Sequence, residues 1–385
     1  MSILDWFKTR FRDEAKKYKY VEINPSHISF GDNHQIDPNP LEAGKHYFRL
    51  WLVEMFLKHD RDWFKSWHPA VHSAVTFRFG DKEEVITHVA GQSRLRDVGE
   101  DNLDKVVSVN HPLTSLVPFN GGTVELDAGL LAMQGKDDLK GFIKVLGDFS
   151  SLLVVPQLSA ALAVAGPLAN GISELVGATE GRLVLGLSDT WTGQAGGGNR
   201  LREKYFVVIL AEDASIDDKK LWVDNDRLRY GATLQTSNQL TGYNYMLFRI
   251  ERQDEFDAWD SLTPIREPYE QALLLLQIGN ADQAETLIKQ AKLAAFKAKE
   301  LTRDVDRRRV VDMLQKKYDE AKEVLIGGGA FEVEKDLSLA SAMSSSSVLS
   351  VDEAADRGRL RPADLELGEE WEQLIKEETE ETEQP

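Results

Sequence analysis

The sequence predicts an α+β protein: a strand-rich, sandwich-like domain carrying a helical insert, then a helical C-terminal unit and a disordered acidic tail. Three observations carry this. Short runs of alternating or continuous apolar residues, bounded by turn residues, recur between residues 73 and 251. Helical spacing interrupts them once near residue 140 and takes over after Pro268. Finally, composition changes altogether beyond Gly327. The domain map that follows is 1–260 for the strand-rich domain with its insert at about 136–177, 261–326 for the helical unit, and 327–385 for linker and tail.

Residues 2–19 read as an amphipathic helix, because Leu4, Phe7, Phe11, Ala15 and Tyr18 fall at spacings of three and four. Residues 42–66 read as a second helix whose buried stripe is Phe48, Trp51, Leu52, Met55, Phe56 and Trp63. His68-Pro69 closes it, since the residue before proline avoids helix. Ser73–Phe79 and Glu84–Ala90 form a hairpin across Gly80-Asp81-Lys82. Lys105–Val109, Ser115–Pro118 and Gly122–Leu131 are further strands, separated by His111-Pro112 and Asn120-Gly121-Gly122. Asp137–Leu146 is helical. Strands resume at Arg182–Leu187, Tyr205–Ala211, the hairpin Leu221–Tyr230 turning at Asp224-Asn225-Asp226, and Tyr243–Glu251.

Phe149 to Ser173 contains no charged side chain in 25 residues. A membrane span needs about 20 mostly apolar residues, so length alone permits one. Pro156, Gln157, Gly166, Pro167, Asn170 and Gly171 break the run. A buried pair of short helices therefore fits better, with Leu158–Ala165 as the first and Pro167 opening the second. A membrane-active segment is the next alternative, and a ligand pocket the last.

From about Pro268 the chain is helical. In "YEQALLLLQIGNADQAETLIKQAKLA", Ala272, Gly279, Ala284, Ile288 and Ala291 stand at small-residue and apolar spacings. Over about residues 265–296 this resembles one tetratricopeptide-like helical hairpin. It departs from that pattern in having Pro268, Leu275 and Phe296 where a tryptophan or leucine, a tyrosine and a proline are usual. Gly279-Asn280 is the turn, and Arg303–Ile326 forms a further helix over the open face. One hairpin makes no superhelical groove, because repeat arrays need about three units. The resemblance therefore implies a local packing unit rather than a peptide-binding array.

Gly327-Gly328-Gly329 ends the folded part. "LSLASAMSSSSVLS" is a serine-rich linker that does not repay its ordering entropy. In "DLELGEEWEQLIKEE", Leu365, Leu367, Trp371, Leu374 and Ile375 recur among acids, the pattern of a segment that folds as a helix in a groove, on a partner or on its own body. These five are the candidate partner-binding residues, with Trp371 as anchor.

Composition limits the chemistry. The chain of 385 residues has 42% hydrophobic and 29% charged residues and no cysteine. That excludes disulfides and thiol chemistry, and it suits the cytoplasm. No signal-peptide core is expected at the start. Of the net charge of −18, residues from Gly327 onward carry −11, with 16 acidic and five basic side chains. The body at −7 is only mildly acidic, so nucleic acid is not the expected partner.

No metal, cofactor or catalytic residue is assigned. His68 and His72 would share a face on a helix but lie at a loop-to-strand junction. Asp217, Asp218, Asp224 and Asp226 lack a calcium-loop pattern. "TGQAGGGNRL" lacks the lysine and hydroxyl residue of a phosphate loop, and there is no Gly-x-Ser-x-Gly elbow. The sequence therefore favours a non-enzymatic, cytoplasmic interaction or regulatory protein acting on another protein through helical unit and tail. The alternatives are a membrane-active bacterial effector, defence-related by analogy alone, and an unrecognised enzyme.

Overall fold

The computed structural model describes residues 18–31, 35–58, 61–62, 65–80, 82–90, 107–134, 182–193, 199–211 and 215–327. Its strands are β1 (Lys19–Glu22), β2 (Ile28–Ser29), β3 (Tyr47–Phe56), β4 (Arg61–Asp62), β5 (Lys65–Phe79), β6 (Lys82–Ala90), β7 (Val107–Pro112), β8 (Val117–Pro118), β9 (Thr123–Gln134), β10 (Arg182–Thr192), β11 (Lys204–Ile209), β12 (Leu221–Asp224), β13 (Arg227–Tyr230), β14 (Asn238–Gln239) and β15 (Tyr245–Gln253). Three helices follow: α1 (Thr263–Gln277), α2 (Ala281–Lys297) and α3 (Asp306–Gly327). The chain is thus mixed α+β, strand-rich and built on antiparallel sheets, with the helices in its C-terminal part.

The central sheet runs β1-β11-β15-β3-β7, with β8 also on β3. A second sheet runs β10-β9-β5, and β5 also pairs with β4 and β6. A third, smaller sheet runs β14-β13-β12-β2, where β12 and β2 are parallel. One face of the central sheet, with Phe48, Leu50, Leu52, Phe206, Val208, Met246 and Phe248, packs on Val71, Val75, Phe77, Leu126, Leu130, Leu187 and Trp191 of the second. The opposite face, with Trp51, Val53, Tyr205, Val207, Ile209 and Leu247, packs on Leu221, Val223 and Leu228 of the third. The central sheet is therefore sandwiched, and β3, β11 and the first half of β15 are buried on both faces.

That double burial overturns the helix expected at 42–66. The region forms β3, β4 and the start of β5 instead. A strand covered on both faces needs apolar residues at every position, so "YFRLWLVEMF" loses the period of two and mimics a helical stripe. A bulge adds to the disguise. The register with β15 slips between Leu52 and Glu54, so Val53 and Glu54 both face the third sheet and the alternation resumes one residue out of phase.

The other strands differ from expectation mainly at their ends. β5 begins at Lys65, well before Ser73, and runs through Pro69. That proline lies beyond the last β6 pair, Val71 with Ala90, on a stretch flanked mainly by β9, where a missing N–H is tolerated. β7 runs through His111-Pro112 rather than ending before it. β9 and β10 extend to Gln134 and Thr192. The hairpin at Asp224 is as expected: Asn225 and Asp226 take φ of 47° and 61°, as a two-residue hairpin loop matching strand twist requires. Of the expected N-terminal helix, only Tyr18 and Lys19 are described, and Lys19 already belongs to β1. The insert at 136–177, including Asp137–Leu146 and 149–173, lies outside the described residues, as does the linker and tail beyond Gly327.

Helix α1 starts at Thr263, earlier than Pro268, because Pro264 suits a first turn where its missing N–H has no helical partner. It ends in a Schellman motif. Gly279 has φ 78°, Asn280 N–H bonds the Leu275 carbonyl at 2.9 Å, and Gly279 N–H bonds Leu276 at 3.0 Å. Asn280 then caps α2 by accepting from Gln283 N–H. Ala272, Leu276, Ala284 and Ile288 are buried with Tyr318 and Ala321 of α3. Small residues here let the helices approach closely. Ala291, Ala295, Val310 and Leu314 join Tyr47, Leu116, Phe256 and Trp259, which fastens the helical unit to the strand domain.

Candidate functional site

Among the described residues, the exposed large apolar side chains are Leu274, Ile278, Leu293, Phe296, Val305 and Val324. All belong to the helical unit or its connections. Local sequence explains the four on and beside α1 and α2. Four consecutive leucines, 273–276, sweep around α1 at about 100° per residue, so one must face outward when Ala272 and Leu276 face inward. That one is Leu274, 60% exposed, with Ile278 one turn on at 76%. On α2 the buried stripe is Ala284, Ile288, Ala291 and Ala295, which leaves Leu293 and Phe296 off it, 52% and 60% exposed.

The two apolar pairs differ in charge. Glu267 and Glu270 precede Leu274 on the exposed ridge of α1. On α2, Lys289 and Lys297 flank Leu293 at spacings of four, and Lys292 lies beside it. Lys289 pairs with Glu285 at 2.8 Å, and Lys292 donates to Gln315 on α3 at 2.6 Å. Arg266 pairs with Glu270 at 4.0 Å, so the α1 surface keeps Glu267 in excess, while the α2 surface keeps Lys292 and Lys297 beyond the Lys289–Glu285 pair.

A buried polar joint holds this surface at a fixed angle to the sheets. Asp306, fully buried at the start of α3, accepts from the Tyr47 hydroxyl at 2.6 Å, from Phe256 N–H at 2.7 Å and from Arg309 Nε at 2.6 Å. The Tyr47 oxygen in turn accepts from Thr302 N–H at 2.7 Å. Burial, then the Asp306 carboxylate, pushes the Tyr47 hydroxyl well above the usual phenol range. Each buried group in the joint has its partner, so β3, the chain after β15 and α3 are locked together.

Two other buried clusters hold groups of the kind catalysis uses. Lys204, 2% exposed, places Nζ 3.2 Å from the Tyr20 hydroxyl, Glu22 Oε2 and Asn199 Oδ1, under the Trp191, Phe206 and Tyr20 rings. Burial lowers its pKa while Glu22 opposes the fall. An ammonium whose three donors are engaged presents no lone pair to a substrate. Glu54, fully buried at the β3 bulge, accepts at Oε2 from Leu228 N–H at 2.8 Å and from the Tyr245 hydroxyl at 3.2 Å. Its Oε1 lies 3.7 Å from Arg227. Desolvation raises its carboxyl to about 7.

His68 and His72 both lie on β5, and four residues of strand separate them by about 13 Å, too far for a shared metal. Among the described residues no group of three or more His, Cys, Asp or Glu is placed to hold a metal ion. The glycine-rich loop after Thr192 leads into strand β11, not into a helix N-terminus. Among the described residues no helix is long and apolar enough to cross a membrane.

The candidate partner-binding residues Leu365, Leu367, Trp371, Leu374 and Ile375 lie outside the described residues. Reading the sequence for a tail motif missed Leu274, Ile278, Leu293 and Phe296, although their position off the buried stripes was a usable signal. Comparison with protein-family models, curated proteins and solved structures finds no match.

Proposed function

We propose that this chain is a non-enzymatic protein-interaction or regulatory protein of the cytoplasm, acting through its helical unit and acidic tail. The observation that supports this reading is the distribution of exposed apolar side chains. Among the described residues the strand domain exposes no large apolar side chain, while α1 with its C-terminal cap and α2 hold Leu274, Ile278, Leu293 and Phe296 out to solvent. Exposed apolar clusters on an otherwise well-buried protein mark association surfaces. The tetratricopeptide-like reading of 265–296 belongs to the same proposal, as one packing unit with an outward face.

The test replaces Leu274 and Ile278 together with aspartate and compares the proteins retained from extract of the native cell. Both residues are exposed, so the unfolding midpoint should stay at the wild-type value. Loss of at least one specific partner supports the reading. An unchanged set of retained proteins, with the fold intact, refutes it for α1.

A further inference from the structure

We propose that the acidic apolar segment Asp364–Lys376 docks in cis on the lysine-flanked face of α2, covering Leu293 and Phe296. This rests on the reading of the helical unit as an interaction surface and assigns one of its two faces. Charge selects the face. From Asp364 to the end of the chain there are ten acidic side chains and one base, Lys376. The α2 ridge surrounds its apolar pair with Lys289, Lys292 and Lys297 against Glu285, which pairs with Lys289, whereas the α1 ridge puts Glu267 and Glu270 before Leu274 against Arg266 alone, which pairs with Glu270. An acidic helix is attracted to the first and repelled by the second.

Pattern fits as well. Leu367, Trp371, Leu374 and Ile375 recur at spacings of four, three and one, which gives one apolar side for a helix lying along α2. Reach is ample. Helices α2 and α3 run antiparallel, with Ile288 beside Tyr318 and Lys292 bonded to Gln315. Leu293 therefore lies about 20–25 Å back along α3 from Gly327. The 36 residues between Gly327 and Asp364 extend to about 120 Å at most. Tethering also holds the segment at up to about millimolar effective concentration, so a contact too weak to persist between molecules is occupied within one. Occupancy in cis would make access to α2 a regulated property, released by any partner that binds either the tail or the lysines more strongly.

The chain has no cysteine, so thiols introduced singly report cleanly. Gln373→Cys in the full chain is combined with Gln290→Cys on the α2 ridge or with Gln271→Cys on the α1 ridge, and disulfide formation is followed under mild oxidation. The expected result is an intramolecular product at 290 about ten-fold above that at 271. It should fall towards the 271 level in about 1 M salt, where the Debye length is about 3 Å, and on adding Phe296→Asp. Phe296 is exposed, so that change leaves the fold in place. Equal yields at both positions, no product at either, or a disulfide-linked dimer at 290 would each overturn cis docking. None of these outcomes bears on partner capture by α1, which the Leu274 and Ile278 variant tests separately.

Discussion

Replacing Glu54 with glutamine is expected to remove a descending limb from the pH dependence of stability. The carboxyl sits fully buried at the β3 bulge, and desolvation raises it from the ordinary 4.5 to about 7 against the opposing pull of Leu228 N–H and Arg227. Between those values the folded chain retains a proton that the unfolded chain has released, so stability falls as pH rises through this window. The interval corresponds to about 3 kcal/mol. His72 and His88 act with the opposite sign. Burial pushes their imidazoles down to about 3 and about 4, so their contribution is complete above about 6.5 and is lost as pH falls. The raw profile mixes both slopes, but the wild-type curve minus the Glu54→Gln curve isolates one. Urea denaturation at a series of pH values should give a difference that declines by about 3 kcal/mol between pH 4.5 and 7 and is level on either side. A level difference throughout would refute desolvation as the dominant influence. A rising difference would mean that Arg227 and the Leu228 N–H outweigh it.

Two further predictions concern the helical unit. Gly279→Ala should cost about 1–2 kcal/mol from the φ of 78° alone, because an added Cβ meets nothing within 4 Å. Gly279→Asn should cost less, and equal losses would point to a contact rather than to backbone strain. Asp306→Ala leaves the Tyr47 hydroxyl and Phe256 N–H without their acceptor. It should cost about 2–5 kcal/mol by urea denaturation, and a loss within about 0.5 kcal/mol would show that the joint does not hold the helices to the sheets.

The sequence made the mixed fold legible wherever one face of an element is wet or a turn residue is obligatory. The Leu221–Tyr230 hairpin was readable from Asp224-Asn225-Asp226, and the α1–α2 turn from Gly279-Asn280, because positive φ restricts residue choice at both. β3 was not readable. Two covering sheets remove its polar alternation, and the bulge at Val53 shifts its phase, so only long-range pairing with β15 decides for strand. The start of β5 failed for a related reason: Pro69 reads as punctuation locally but lies where β5 has only one principal neighbour. At the candidate surface, acids and apolar residues in the tail were conspicuous in sequence. Leu293 and Phe296 were less so, readable only as apolar positions off the Ala284, Ile288 and Ala291 stripe.

The order of the central sheet also fixes when this protein can fold during its synthesis. β3 ends at Phe56, yet its long partner β15 begins at Tyr245, and β1 waits for β11 at Lys204. At about 5–20 residues per second, the ribosome needs about 10–40 s to deliver β15 after β3. For most of that interval "YFRLWLVEMF" lacks full cover, because the second sheet is complete only at Thr192 and the third only at Gln239, and throughout it has no β15 to pair with. A chain stopped anywhere before Gln253 leaves the central sheet unclosed, whereas a chain stopped just after it has every described strand and lacks α1, α2 and α3. Chaperone dependence should therefore track the first 253 residues and be indifferent to the tail.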